Sequence, residues 1–152
     1  MATPIRHQFE LVIDSDMSPN ALIEAGHYNW INNTTADRHL QPSGKKGRES
    51  VQAAIFRFDH DITSDKAIEA MTKAGYRPAT FEELLAFGAS GSELLRQFSV
   101  MALGAVCPNR HGVPKVACIL QHQKGLWALA SVTNDFDKEW SPVIHFLAIH
   151  RS

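Results

Sequence analysis

The side chains in this sequence best suited to hold a metal or move a proton are eight histidines, His7, His27, His39, His60, His111, His122, His145 and His150, and two cysteines, Cys107 and Cys118. Their spacing argues against zinc. There is no His-Glu-x-x-His pair and no Cys-x-x-Cys. The best ligand set, Cys107, His111, Cys118 and His122, consists of two Cys/His pairs at spacing four across a hairpin. On a strand that spacing puts the members of a pair about two pleat repeats apart, too far for one ion without a tight loop. No metal and no cofactor are therefore expected. Cys118 lies between Ala117 and Ile119 in an apolar run and Cys107 adjoins Pro108 at a strand end, so both read as reduced thiols rather than a disulfide. Asp59-His60-Asp61 has the residue types of a carboxylate-oriented base, yet catalytic groups converge from different segments, and these three residues read better as a strand end before a helix capped by Asp61 or Thr63. Gly88-Ala89-Ser90-Gly91 falls between two helices, the wrong context for a phosphate-binding loop.

Aromatic rings beside amides and charges are the stronger signal, because that mixture recurs at recognition surfaces. It occurs in His27-Tyr28-Asn29-Trp30 and in Phe136-Asp137-Lys138-Glu139-Trp140. Trp127 lies in an apolar strand and reads as core. Trp140 follows the polar stretch Asn134–Glu139 and is read as an exposed anchor on a ligand-facing loop. The candidate ligand-binding residues are Trp140, Phe136, Asn134, Arg110, His111 and Trp30, contacting a protein or a small polar ligand. The alternative is an enzyme whose site is assembled from His111, His122 or His145 and a distant carboxylate.

The elements that must position these residues begin with a strand over Gln8–Asp14, where Phe9, Leu11 and Ile13 recur at every second position. A helix follows, with Ser18 as N-cap, Pro19 in its first turn and Gly26 as a left-handed exit. Asn32–Ser50 has no period and reads as the longest loop, its basic residues Lys45, Lys46 and Arg48 being solvated. Val51–Phe58 is a buried strand. The next helix, capped by Ser64 or Thr63, carries Ala67, Ile68, Met71 and Ala74 and closes at Gly75, letting Tyr76 fold back onto Met71. Thr80 and Glu83 are spaced as a capping box for a helix that Gly88 ends, and Ser92 opens a further turn. Ser99–Cys107, Val113–Gln121, Gly125–Thr133 and Pro142–His150 then read as a four-stranded antiparallel meander. The expected fold is α+β: one domain over residues 1–152, an antiparallel sheet with two or three helices inserted between early and late strands.

With 152 residues, 44% hydrophobic and 20% charged, the chain has the composition of one soluble globular domain, large enough for a core without staples. A formal net charge of −1 builds in no general attraction to nucleic acid or anionic lipid. No run approaches the roughly 18 apolar residues of a spanning helix, and Met1–Phe9 lacks the apolar stretch of a signal peptide, so a cytoplasmic location with no membrane contact is expected.

Two resemblances extend this reading. Gly75-Tyr76-Arg77-Pro78-Ala79-Thr80-Phe81-Glu82-Glu83-Leu84-Leu85-Ala86 resembles the Gly-x-Arg-Leu-Pro-Thr-x-x-Glu-Trp segment of the formylglycine-generating-enzyme branch of the C-type-lectin-like fold, and Phe146–Arg151 resembles its Gly-Phe-Arg-Leu ending. Here Leu84 stands in the place of Trp, and no Gly precedes Phe146. The resemblance implies a C-type-lectin-like scaffold that binds through its late loops, Pro108–Gly112 and Asn134–Ser141. The chemistry of that branch needs a presented, reactive cysteine pair, and neither Cys107 nor Cys118 reads as presented. Most of the chain is also similar to a family of small bacterial proteins of uncharacterised activity, through Ala74–Thr80, Glu83–Phe87 and the ending Phe146-Leu147-Ala148.

Overall fold

The computed structural model describes residues 5–31, 47–90, 99–108, 114–122, 126–133 and 139–151. Strand β1 (Ile5–Asp14) buries Leu11 and Ile13 and exposes Gln8, Glu10 and Val12, as the alternation of its sequence requires. Helix α1 (Pro19–Ala25) starts at Ser18, whose hydroxyl accepts the Ala21 amide, and leads to the short strand β2 (Trp30–Ile31). The left-handed residue after α1 is His27, at φ 50°, while Gly26 stays right-handed at φ −78°; the expected glycine exit is therefore displaced by one residue. Strand β3 (Arg48–Arg57) begins inside what reads as loop, because its first three residues are exposed and carry no apolar period. The short strand β4 (Ile62–Thr63) leads into α2 (Ser64–Lys73), capped by Thr63 rather than by Asp61 or Ser64. Gly75, at φ 88°, turns the chain out of α2 into β5 (Tyr76–Pro78). Helix α3 (Phe81–Ala89) follows, running through Gly88 to a cap at Ser90; the expectation that Gly88 ends it is corrected. The late strands are β6 (Val100–Pro108), β7 (Pro114–His122), β8 (Leu126–Thr133), β9 (Glu139–Trp140) and β10 (His145–His150). The further turn expected from Ser92 lies outside the described residues.

Among the described residues the architecture is α+β, a single large sheet with helices on both faces and a strand order β1-β3-β10-β6-β7-β8-β2. The meander stops at three strands. The fourth apolar segment, β10, returns to the centre, antiparallel to β3 and parallel to β6, so the sheet is mixed rather than purely antiparallel. Its composition permits this: Phe146–Ile149 is apolar throughout and buried on both faces, the mark of an interior strand. Beyond Phe146, β6 veers away and β5 takes its place along β10, pairing Ala148 with Pro78 and His150 with Tyr76. Gly104 sits in this fork. Its amide bonds the Ala79 carbonyl at 3.0 Å, and a Cβ there would lie 2.5 Å from that oxygen.

Each face has its own core. Helices α1 and α3 cover one side, packing Leu22, Leu84, Leu85 and Phe87 against Leu11, Ile55, Ile119 and Leu147. Helix α2 covers the other, where Ala67 and Met71 meet Phe56, Met101, Cys118 and Phe146. The expected fold of Tyr76 back toward Met71 places both in this second core.

A partly buried ion pair locks β5 to α3. The expected capping box is present, with the Thr80 hydroxyl accepting the Glu83 amide and Glu83 Oε1 accepting the Thr80 amide at 2.8 Å. Arg77 also grips the same carboxylate with both nitrogens, at 2.8 and 2.6 Å. Burial pushes the Glu83 carboxyl up, but the Arg77 fork and the Thr80 amide outweigh it and hold its pKa below the ordinary range. The stability this supplies is present above the unfolded pKa of about 4.3 and is lost as pH falls through the lower folded value. Arg77→Met is expected to cost about 2 kcal/mol at neutral pH, less than a fully buried pair because solvent screens the 40% exposed Arg77 side chain. Urea titrations across pH should show the gap between the two proteins closing below about pH 4; a pH-independent gap would assign the loss to packing alone.

Candidate functional site

Trp140 is not an exposed anchor. It is 4% exposed, and its indole Nε1 donates to Ser64 Oγ at 2.8 Å. Pairing of Ile62 with Trp140 carries the ring inward, edge-on to Phe146, where it fills the core under α2. The polar residues before it gave the opposite expectation, because the partner strand β4 is two residues long and has no signal of its own. Phe136, Asn134, Arg110 and His111 lie outside the described residues. Trp30 belongs to β2, paired with Ala128 at the edge of the sheet.

Of the histidines named for the enzyme alternative, His111 lies outside the described residues, and His145 stands at the start of β10 beside Val100. His122 ends β7, opposite Leu126 and three residues beyond the Ile119 that pairs with Val100. Burial, helped by the charge of Arg57, lowers the His145 pKa although Nδ1 lies 3.0 Å from the Val143 carbonyl, so this ring is neutral at physiological pH. Asp59 and His60 form an exposed pair at 2.8 Å, which lowers the Asp59 pKa. Cys118 is a buried free thiol, its pKa pushed up to about 12 by burial, and therefore not nucleophilic. Cys107 pairs with Lys115, three residues along β7 from Cys118, or about 10 Å. Among the described residues no three His, Cys, Asp or Glu side chains converge in a metal-binding group.

What does converge is an aromatic corner where α1 meets the β8 edge. Asn29 clamps the backbone of Trp127 twice: its amide donates to the Trp127 carbonyl at 2.9 Å, and its Oδ1 accepts the Trp127 amide at 3.0 Å. The Trp127 indole in turn donates to the Gly26 carbonyl at 2.9 Å. Tyr28 fills the slot behind this clamp. A Cβ on Gly26 would lie 2.5 Å from the Tyr28 ring, and one on Gly88 would overlap the Tyr28 hydroxyl, so the absence of side chains at those two glycines admits the ring. The Tyr28 hydroxyl is buried without a hydrogen-bond partner among the described residues, and burial raises its pKa. Ile31, paired with Leu129, is 36% exposed on the face of Trp127, and Leu126 is 42% exposed on the opposite face; His27 and Asn29 are exposed as well. The sequence flagged Tyr28, Trp30 and Trp127 but not Ile31 or Leu126, whose exposure follows from their position at the sheet margin and has no local signature. Trp127, read as core, is half-buried and packs against the edge of the first core.

Comparison with protein-family models, curated proteins and solved structures finds no match.

The slot is testable through its glycine. Ala is favoured over Gly in a helix by about 1 kcal/mol, yet Gly88→Ala should destabilise by about 1 to 3 kcal/mol because its methyl collides with Tyr28. Tyr28→Phe removes an unpaired hydroxyl and should leave the denaturant midpoint unchanged or higher. A large loss in Tyr28→Phe would mean that the hydroxyl makes a stabilising bond.

Proposed function

We propose that the protein is a non-catalytic binding module that recognises a protein segment through the corner formed by His27–Ile31 and Trp127. One observation carries this reading: Ile31 stands exposed on the sheet face that carries Trp127, beside a base braced by three hydrogen bonds between the Gly26–Asn29 turn and Trp127. Rigid aromatic and apolar groups ringed by amides lose little entropy on binding, which is why such groups dominate interface energetics. Trp30 keeps its place in the candidate site by its position in β2.

A C-type-lectin-like scaffold is part of the proposal. Its support is that the two resembling segments lie side by side, β5 pairing with β10 through Arg77 and Ile149. The cytoplasmic reading is supported by the free thiol of Cys118. Among the described residues no helix is long and apolar enough to cross a membrane.

The test is an amide-shift titration of isotope-labelled protein with N-acetyltryptophanamide, a probe that combines an aromatic ring with peptide groups. Shifts should cluster at Asn29, Ile31 and Trp127, and Ile31→Asp, at an exposed position, should abolish them while circular dichroism shows the variant folded. Shifts centred elsewhere, or none at millimolar probe, would remove the corner from consideration.

A further inference from the structure

At the opposite margin of the sheet from the aromatic corner, β1 is an edge strand of ten residues, with β3 as its one neighbour among the described residues. Its pairing with β3 runs from Ile5↔Arg57 to Asp14↔Arg48 without a bulge. Long, regular edges expose a row of unpaired amides and carbonyls, and proteins ordinarily blunt them with Pro, Lys, bulges or inward-pointing charges. Strand β1 has no Pro, no Lys and no bulge, and Phe9, Leu11 and Ile13, which pack on the first core, are apolar. Val12, on the outward side, is 52% exposed.

The charge pattern of β1 selects its partner. The first half carries Arg6 and His7 and the second ends at Asp14, with Asp16 just beyond, so an antiparallel copy of the same strand sets basic residues toward acidic ones at both ends. A two-fold axis perpendicular to the sheet keeps each face continuous, which places residues of the same parity opposite one another. Centred on Glu10, such pairing sets Glu10 against its own copy. Centred on Val12, it sets Glu10 against Asp14 twice. Centred on Leu11, it sets Leu11 on Leu11, Phe9 on Ile13, Gln8 on Asp14 and Glu10 on Val12, with no like charges opposed. Phe9, left half-buried at the margin of the first core, would then be covered by Ile13 of the second copy.

We propose that the protein forms a two-fold dimer by antiparallel pairing of β1 with β1 of a second copy, centred on Leu11, so that two sheets become one. This register makes opposite demands on two substitutions at one exposed position. Val12→Glu faces Glu10 of the other copy twice and should raise the dimer Kd about tenfold, whereas Val12→Lys faces the same carboxylates and should leave Kd unchanged or lower it. Glu10→Lys combined with Val12→Glu restores opposite charges and should return Kd to within about threefold of the parent.

Sedimentation equilibrium from low-micromolar to near-millimolar protein measures all four, with circular dichroism confirming that each variant is folded. A parent protein that stays monomeric throughout overturns the proposal. So does a Val12→Glu variant that dimerises as well as the parent, and so does a Val12→Lys variant weakened as much as Val12→Glu, since that places Val12 against its own copy.

Discussion

The structure depends on where β10 goes. Strands β1 and β3 share no pairing with the later meander β6-β7-β8; β10 joins them, bonding β3 on one side and β6 and β5 on the other, while β2, from the segment between β1 and β3, pairs with β8 at the far margin. The sheet is therefore completed by the last described strand. Each of its four central residues, Phe146 to Ile149, contributes to one of the two cores, Phe146 and Ala148 to one and Leu147 and Ile149 to the other. A strand with apolar residues at every position is stable only when both faces are covered, and the helices supply the covers.

The fork beside β10 couples this pairing to the helices. Strand β5 leaves α2 at Gly75 and runs along β10, and its Arg77 reaches the carboxylate that caps α3. One short segment thus fixes the end of one helix, the start of another and half of one edge of the central strand. The Arg151 amide, bonded to the Gly75 carbonyl at 2.8 Å, closes the same junction from the chain's other end. The two proposed sites lie at the margins because the middle is committed to packing: β8 and β2 form the aromatic corner, and β1 is an edge strand.

Local chemistry was legible in the sequence, and long-range placement was not. Ser18, Thr63, Thr80 with Glu83, and Gly75 were readable because a cap or a left-handed exit depends on residues within one turn. Arg77 was not read as a partner of Glu83, since β5 is three residues long and carries no period. The early and late strands were found by their apolar spacing, but nothing local distinguishes a fourth meander strand from one that returns to the centre. The Trp140 error has the same origin: polar neighbours describe its loop, while burial is decided by pairing with Ile62, far away in sequence. Tyr28 was seen as a surface aromatic because the two glycines that make room for its ring lie 62 residues apart, Gly26 just after α1 and Gly88 within α3.

If β10 joins the two parts of the sheet, they cannot open separately. Native-state hydrogen exchange, followed residue by residue under increasing denaturant, measures this directly. The amides of β3, β10, β6 and β7 should converge on one free energy of opening equal to that of global unfolding, with the β2 margin exchanging at lower cost. Exchange of β3 through a partial opening that leaves β6 and β7 protected would show that the two parts are independent units, and would contradict the account.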